Sequence, residues 1–339
     1  MNRLTESLNR REFLKATMAG LGGLTLSALG GRLRATEALG AALAGGTPGT
    51  GETPSPGARV FEIHEPRLLD EFGNVRALDY LPGVVHRLLR EMTGSRRTRD
   101  AWHKLFSDKD VIGIQFDPIA AKELRTSAPM ARMLIESLLE AGFARQKIML
   151  IHGPLYTAEF DTRPPPFGYE EQAVSVAKKR QTHFLRALAE VTAILNVPFI
   201  KDHRSLGLSC GTVNLALGLI NNPGAFTDPG GDPGVVDLFA HQAIRSKHRL
   251  TLVNGIRGIY DRGPRAIEGR MWNQHAVLGS TDCIALDRVA LDLVNAARFS
   301  RGLKGLAEVG RDPEYLAAAA RRGLGVANLS KIQVRRVSI

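Results

Sequence analysis

The chain predicts an α/β fold, with a mostly parallel or mixed sheet covered by helices on both faces in three layers. Two observations carry this. Short apolar runs of strand length alternate along the sequence with longer segments whose apolar residues recur at helical spacing. Several of the short runs are continuous rather than alternating, as in Lys147 to Ile151, which suits strands buried on both faces.

Taken in order, Val60-Phe61-Glu62-Ile63 reads as a strand and Leu81 to Met92 as an amphipathic helix. Val111 to Phe116 is a short apolar run with strand character. Ser127 to Ala141 is periodic and stopped by Gly142, so it reads as a helix, followed by the strand ending at Ile151. Thr162 to Gly168 holds three consecutive prolines and is expected as an irregular surface loop able to act as a lid. A helix over Gln172 to Val191 follows, and Val197 to Ile200 begins another strand. The remainder predicts a helix at Val235 to Ile244, strands at Leu250 to Val253 and Ala276 to Gly279, a helix from Ile284 to Ala297 and a last strand from Lys331 to Val337. The sequence shows no internal repeat.

Ahead of this body, Arg10-Arg11-Glu12-Phe13-Leu14-Lys15 leads directly into the apolar run Ala16 to Gly31, the order of a twin-arginine export signal. The run is only about sixteen residues, rich in Gly and interrupted by Thr and Ser, which is short of the roughly twenty a stable membrane span needs. Ala42-Leu43-Ala44 has the form of a cleavage site. Residues 1–44 are therefore expected as a twin-arginine signal peptide, with Arg10 and Arg11 read by the translocase and the periplasm as destination. Residues 45–58, almost all Gly, Pro, Thr and Ser, bury too little to order themselves and read as a flexible linker to an α/β domain over 59–339.

The formal net charge is +11, but the basic residues are scattered, and two Trp and five Tyr provide no basic stripe interleaved with aromatics. Nucleic acid is not expected as a partner; small anionic molecules are. Cys210 and Cys283 are the two cysteines, too few for an iron–sulfur cluster or a Cys-rich zinc site. They are read either as separately buried thiols or as a disulfide closing a loop of about 74 residues, which would stabilise by roughly 4 kcal/mol.

Polar residues at strand ends concentrate in Lys201-Asp202-His203, in Asn214 and Asn221-Asn222, and in Thr281-Asp282 with Asp287. Ligands of open α/β sheets collect beyond the carboxyl ends of the strands, so these residues form the candidate site. His203 is the expected proton donor or acceptor, Lys201 an anion anchor beside it, and Asp282 the third catalytic group; Asn214, Asn222 and Asp287 are expected around a bound ligand or cofactor. Asp282 also stands where a helix N-cap would. No metal-ligand spacing such as His-x-x-x-His joins His203 to His241, Asp282 or Asp287, so no metal is assigned.

Lys201-Asp202-His203, Gly207-Leu208-Ser209, Asn214-Leu215, Gly218, Asn221-Asn222, Leu250 to Gly255 with Gly263-Pro264, and Thr281-Asp282 with Ala285-Leu286-Asp287 together resemble the domain-of-unknown-function-362 family, notably its twin-arginine-exported members. The resemblance covers roughly Val111 to Ile339. It implies an α/β fold and little settled biochemistry. Some relatives carry ferredoxin-type iron–sulfur modules, which points toward redox metabolism, but this chain has no Cys-x-x-Cys motif. Where the family usually carries two lysines, this chain has Gln115 and Val213, and Cys210 and Cys283 fall where a glycine-like residue and a proline are usual.

The reading is an exported protein that binds a small anionic ligand or cofactor in a cleft at strand ends, redox-related or not. The residues identify no cofactor and leave catalysis open. Two alternatives stand beside it. Gly207-Leu208-Ser209-Cys210-Gly211 matches the Gly-x-Ser-x-Gly elbow of serine hydrolases, with Ser209 as nucleophile and Asp237 or Asp261 and His241 or His275 as partners. The other is a non-catalytic envelope binding protein.

Overall fold

A computed structural model describes residues 57–153 and 160–339. The expected signal peptide 1–44 and all but the last two residues of the expected linker lie outside the described residues.

The elements run β1 (Ala58–His64), α1 (Ala77–Thr93), α2 (Thr98–Leu105), β2 (Ile112–Phe116), α3 (Ala121–Leu124), α4 (Ser127–Glu140) and β3 (Ile148–Ile151). A small hairpin of β4 (Val174–Val176) and β5 (Arg180–Thr182) precedes α5 (Arg186–Glu190), β6 (Ala193–Val197), β7 (Ile200–His203), β8 (Gly207–Ser209) and α6 (Gly211–Leu217). The rest is α7 (Gly234–Ala240), α8 (Gln242–Arg245), β9 (His248–Ile259), β10 (Met271–Ser280), α9 (Cys283–Phe299), α10 (Tyr315–Arg321) and β11 (Ile332–Ser338).

Among the described residues, nine strands join one mixed sheet in the order β11-β1-β10-β9-β6-β2-β3, with β7 continuing beside β9 and β8 beside β7. Strands β3, β2, β6, β9 and β7 are mutually parallel, as are β1 and β11, while β10 runs antiparallel between β9 and β1. The fully buried runs Ile112–Phe116, Ile148–Ile151 and Ala193–Val197 are the consequence of helices on both faces. On one face α1, α2 and α4 pack through Leu81, Leu88, Trp102 and Leu134. On the other, α6, α7, α9 and α10 pack through Leu215, Phe239, Leu286 and Leu316. This is the three-layer α/β arrangement expected.

The helix expected over Gln172 to Val191 is corrected to a hairpin followed by one short helix. Val174 and Val176 pair across to Thr182 and Arg180, and Ala177, Lys178 and Lys179 turn the chain with φ of 44°, 60° and 64°. That turn cannot exist inside a helix. The strand expected to begin over Val197 to Ile200 begins at Ile200 as β7; Val197 ends β6, and in the short break between them Pro198 accepts from the Asn254 N–H. The helix expected at Val235 to Ile244 breaks at His241, whose extended backbone and Nδ1 cap the short α8. The segment Thr162–Gly168 is an irregular loop as expected, tied down by Arg163 to Glu190 at 2.7 Å and carrying a Phe167 that is almost fully exposed.

Candidate functional site

The sheet order places a switch point between β2 and β6: β3 lies on one side of β2, while β6 and then β9 extend to the other. Ligands of open α/β sheets gather outside the carboxyl ends of the strands at such a point. At the same end of the sheet, the loops following β1, β2 and β9 line one cleft.

Lys201, the second residue of β7, is fully buried, its ammonium 2.6 Å from the Asp117 carboxylate just beyond β2 and 3.1 Å from the Ile119 carbonyl oxygen. Expected as an anion anchor, it is instead satisfied within the protein. It pins the start of the 117–126 segment, which packs Ala120 and Leu124 onto Phe199 and Ile259. Asp202 points away into a clasp: both its oxygens accept from Arg311, at 2.7 and 2.8 Å, and the Gly263 N–H adds a longer bond. Burial lifts its carboxyl above the ordinary value, with Arg311 pulling the other way.

His203 was expected to titrate near neutral pH. Burial, reinforced by the Lys201 charge, lowers it to about 4. Its Nδ1 accepts the backbone N–H groups of Ser205 and Leu206, so the neutral ring carries its proton on Nε2 and fastens the turn into β8.

Asp282, Asp287 and the two asparagines are likewise engaged. Asp282 is the N-cap of α9: Oδ1 accepts from Ala285 N–H and Oδ2 from Val326 N–H. Asp287, fully buried, accepts from the first N–H groups of α6, Gly211 at 2.7 Å and Thr212 at 2.9 Å, and from the Tyr315 hydroxyl at 3.0 Å. The carboxylate complements the positive end of that short helix, although burial still raises its pKa. A side chain at Gly211 would meet Cys283 Sγ at 2.7 Å and Asp287 Oδ1 at 3.0 Å, so this approach requires glycine. Asn214 donates to Asn196 Oδ1, and Asn196 donates to the Gly211 carbonyl and Thr251, which ties α6 to β6. Asn222 lies elsewhere, bonded to Thr182 and Gln181 of the β5 hairpin. No hydrogen bond or ion pair joins His203 to Asp282, Asp287, Asn214 or Asn222.

Cys210 and Cys283 are free, buried thiols. Thr212 and Thr251 hydroxyls lie 3.6 and 3.5 Å from Cys283 Sγ. Burial, with Asp287 nearby, pushes both thiols well up from their ordinary value, so neither is a ready nucleophile. The disulfide considered from sequence is absent. Ser209 has no histidine partner: His241 caps α8, Asp237 pairs with Arg322, and Asp261 accepts from Arg298. It ends an antiparallel strand, unlike the parallel strand that feeds a nucleophile elbow.

The open cleft at the strand ends is lined by other residues. It has a volume of about 580 Å³, with Phe72 and Val75 from the loop after β1, Arg125 from the loop after β2, and Arg257, Ala266 and Met271 from the β9–β10 hairpin. Phe72 is held outward, 81% exposed, because Asp70 Oδ1 accepts the Phe72 and Asn74 N–H groups and folds the loop. The Arg125 side chain makes no hydrogen bond or ion pair among the described residues, and the residue stands at φ 59°, a left-handed conformation costing an arginine about 1 kcal/mol. Arg257 donates to the Gly73 and Leu124 carbonyls and to no carboxylate. Burial and the nearby Arg125 charge lower its pKa, with Asp70 opposing. Glu123 and Glu268 also line the cleft, without bonding either arginine. Sequence reasoning missed Phe72, Arg125 and Arg257, since an isolated arginine or loop aromatic carries no pattern; Asp117, directly after a strand end, was the one partner that position could have flagged.

Fold and strand-end geometry together define a three-layer α/β protein with a polar switch point. Residues 156–292 match the family described as "Domain of unknown function (DUF362)", which supports the resemblance over that segment. The solved structure of the lactate racemase apoprotein from Thermoanaerobacterium thermosaccharolyticum is similar at 12% identity and a TM-score of 0.34. That alignment covers 61% of this chain and 55% of the racemase, so the chain spans about half of that protein's length. No curated protein matches the chain.

Proposed function

We propose that the protein binds a small anionic ligand with an apolar body in the strand-end cleft, and that it does so as a twin-arginine-exported periplasmic protein. The observation that carries the binding reading is the pair Arg125 and Arg257, two guanidiniums without a carboxylate partner in one cleft of about 580 Å³ at the carboxyl ends of β1, β2 and β9. An incoming carboxylate or sulfonate relieves their mutual repulsion and accepts forked hydrogen bonds. Phe72, Val75, Ala266 and Met271 supply the surface for the apolar part. Among the described residues, the side chains of the cleft that carry this reading are two guanidiniums and an apolar wall, a chemistry suited to holding an anion.

The probe is 8-anilinonaphthalene-1-sulfonate, an anion on an aromatic body. Fluorescence titration is expected to show saturable binding weakened about tenfold by Arg125→Gln, the loss of roughly one charge-assisted contact. Equal affinity in the variant refutes the site.

Export rests on Arg10-Arg11 with the apolar run behind it. Changing both to lysine is expected to leave the precursor in the cytoplasm, because the guanidinium pair is what the translocase reads. Unaltered periplasmic recovery on fractionation would count against this.

A further inference from the structure

A second basic groove lies away from the strand-end cleft, between the carboxyl end of α1 and the edge strand β11. It measures about 380 Å³ and is lined by Arg87, Arg90 and Arg96, by Arg335 from β11, and by Glu91 and Ser95. Four guanidiniums thus surround one carboxylate. Glu91 is fully committed, its two oxygens taken by Arg87 at 2.6 Å and Arg335 at 2.7 Å. Arg90 and Arg96 pair with no carboxylate among the described residues. Arg87 Nε is buried with no hydrogen-bond acceptor.

A helix carboxyl end favours cations, which explains one or two arginines here. It does not explain three surplus positive charges gathered in one groove. Of the last-turn carbonyls of α1, that of Arg90 is already taken by the Gly94 and Ser95 N–H groups and that of Thr93 by the Lys104 ammonium. An anion with several acceptor oxygens in tetrahedral array offsets that surplus and accepts from more than one guanidinium. We infer that this groove is a phosphate-binding site, engaging a phosphoryl group through Arg90 and Arg96, with Arg87 and Arg335, both already paired with Glu91, on its walls. The shape is open and shallow, so the phosphoryl group arrives either as a free phosphate or as the headgroup of an anionic lipid.

The test uses the full chain. Inorganic phosphate is titrated calorimetrically, and in parallel the protein is floated with vesicles of phosphatidylglycerol in phosphatidylcholine or of phosphatidylcholine alone. Arg90→Gln with Arg96→Gln is expected to weaken the binding about tenfold or more. Arg204→Gln with Arg321→Gln, two exposed arginines outside the groove that remove the same charge, is expected to leave it intact. Saturation by phosphate identifies a soluble ligand, and flotation that needs phosphatidylglycerol identifies a lipid headgroup. Should the double variant melt early, Arg96→Gln alone gives the same reading. Absence of binding in both arms, or an equal loss in the Arg204/Arg321 control, overturns the inference.

Discussion

His203 shows how far environment moves a single residue from its sequence-level reputation. Burial and the Lys201 charge lower its folded-state pKa to about 4, while in the unfolded chain it titrates near 6.5. The folded state therefore binds fewer protons between those values. The stability this histidine contributes is fully present above about pH 6.5 and declines as pH falls toward 4, by at most about 3 kcal/mol. His248, lowered by burial to about 3, acts in the same sense. Urea unfolding between pH 7 and 4.5 is expected to show falling stability, and His203→Gln to flatten that slope; an unchanged slope means that His203 is not held neutral. A shuttle working at neutral pH would need a carboxylate partner to hold its charged form, and the bonds of His203 among the described residues go to backbone N–H groups instead.

At the scale of elements, the Lys201–Asp117 pair fixes the segment that delivers Arg125 to the cleft. Lys201→Met leaves the Asp117 carboxylate buried without a counter-charge, with the Ile119 N–H as its remaining hydrogen-bond donor, and is expected to cost about 3–5 kcal/mol, whereas adding Asp117→Leu recovers most of that loss. Chemical denaturation of the two single variants and the double variant measures this coupling, and additive losses would contradict it. The sequence made Lys201 visible, because it stands in a polar triplet at a strand end, but hid its partner 84 positions earlier. Strands with continuous apolar runs, such as β2 and β3, were legible for the same reason that they are buried. The β4–β5 hairpin was not, since Ala173, Val174, Val176 and Ala177 fit a helical spacing and only the left-handed turn at 177–179 excludes it. Asp282 was legible as a cap, from its place just ahead of an apolar periodic segment. Asp287 reads as a helix-face acid in sequence, and its role appears only when tertiary packing brings α6 against it.

For the whole molecule, the sheet sets where a ligand can bind and the loops set what it can be. The residues that sequence singled out mostly build the scaffold: Asp202, Asp282, Asp287 and Asn214 satisfy backbone and partner groups on buried elements. The open chemistry passes to Arg125, Arg257 and Phe72, on loops where local pattern carries no signal. The central claim is that this cleft takes an anion with an apolar body. Crystals soaked with 4-iodobenzoate test it most directly, since the iodine is located by its anomalous scattering. The predicted result is an iodine peak inside the cleft, with the ring on Phe72 and the carboxylate within about 3 Å of the Arg125 guanidinium. A peak only in the Arg87–Arg335 groove, or none in the cleft at saturating concentration, would contradict the account.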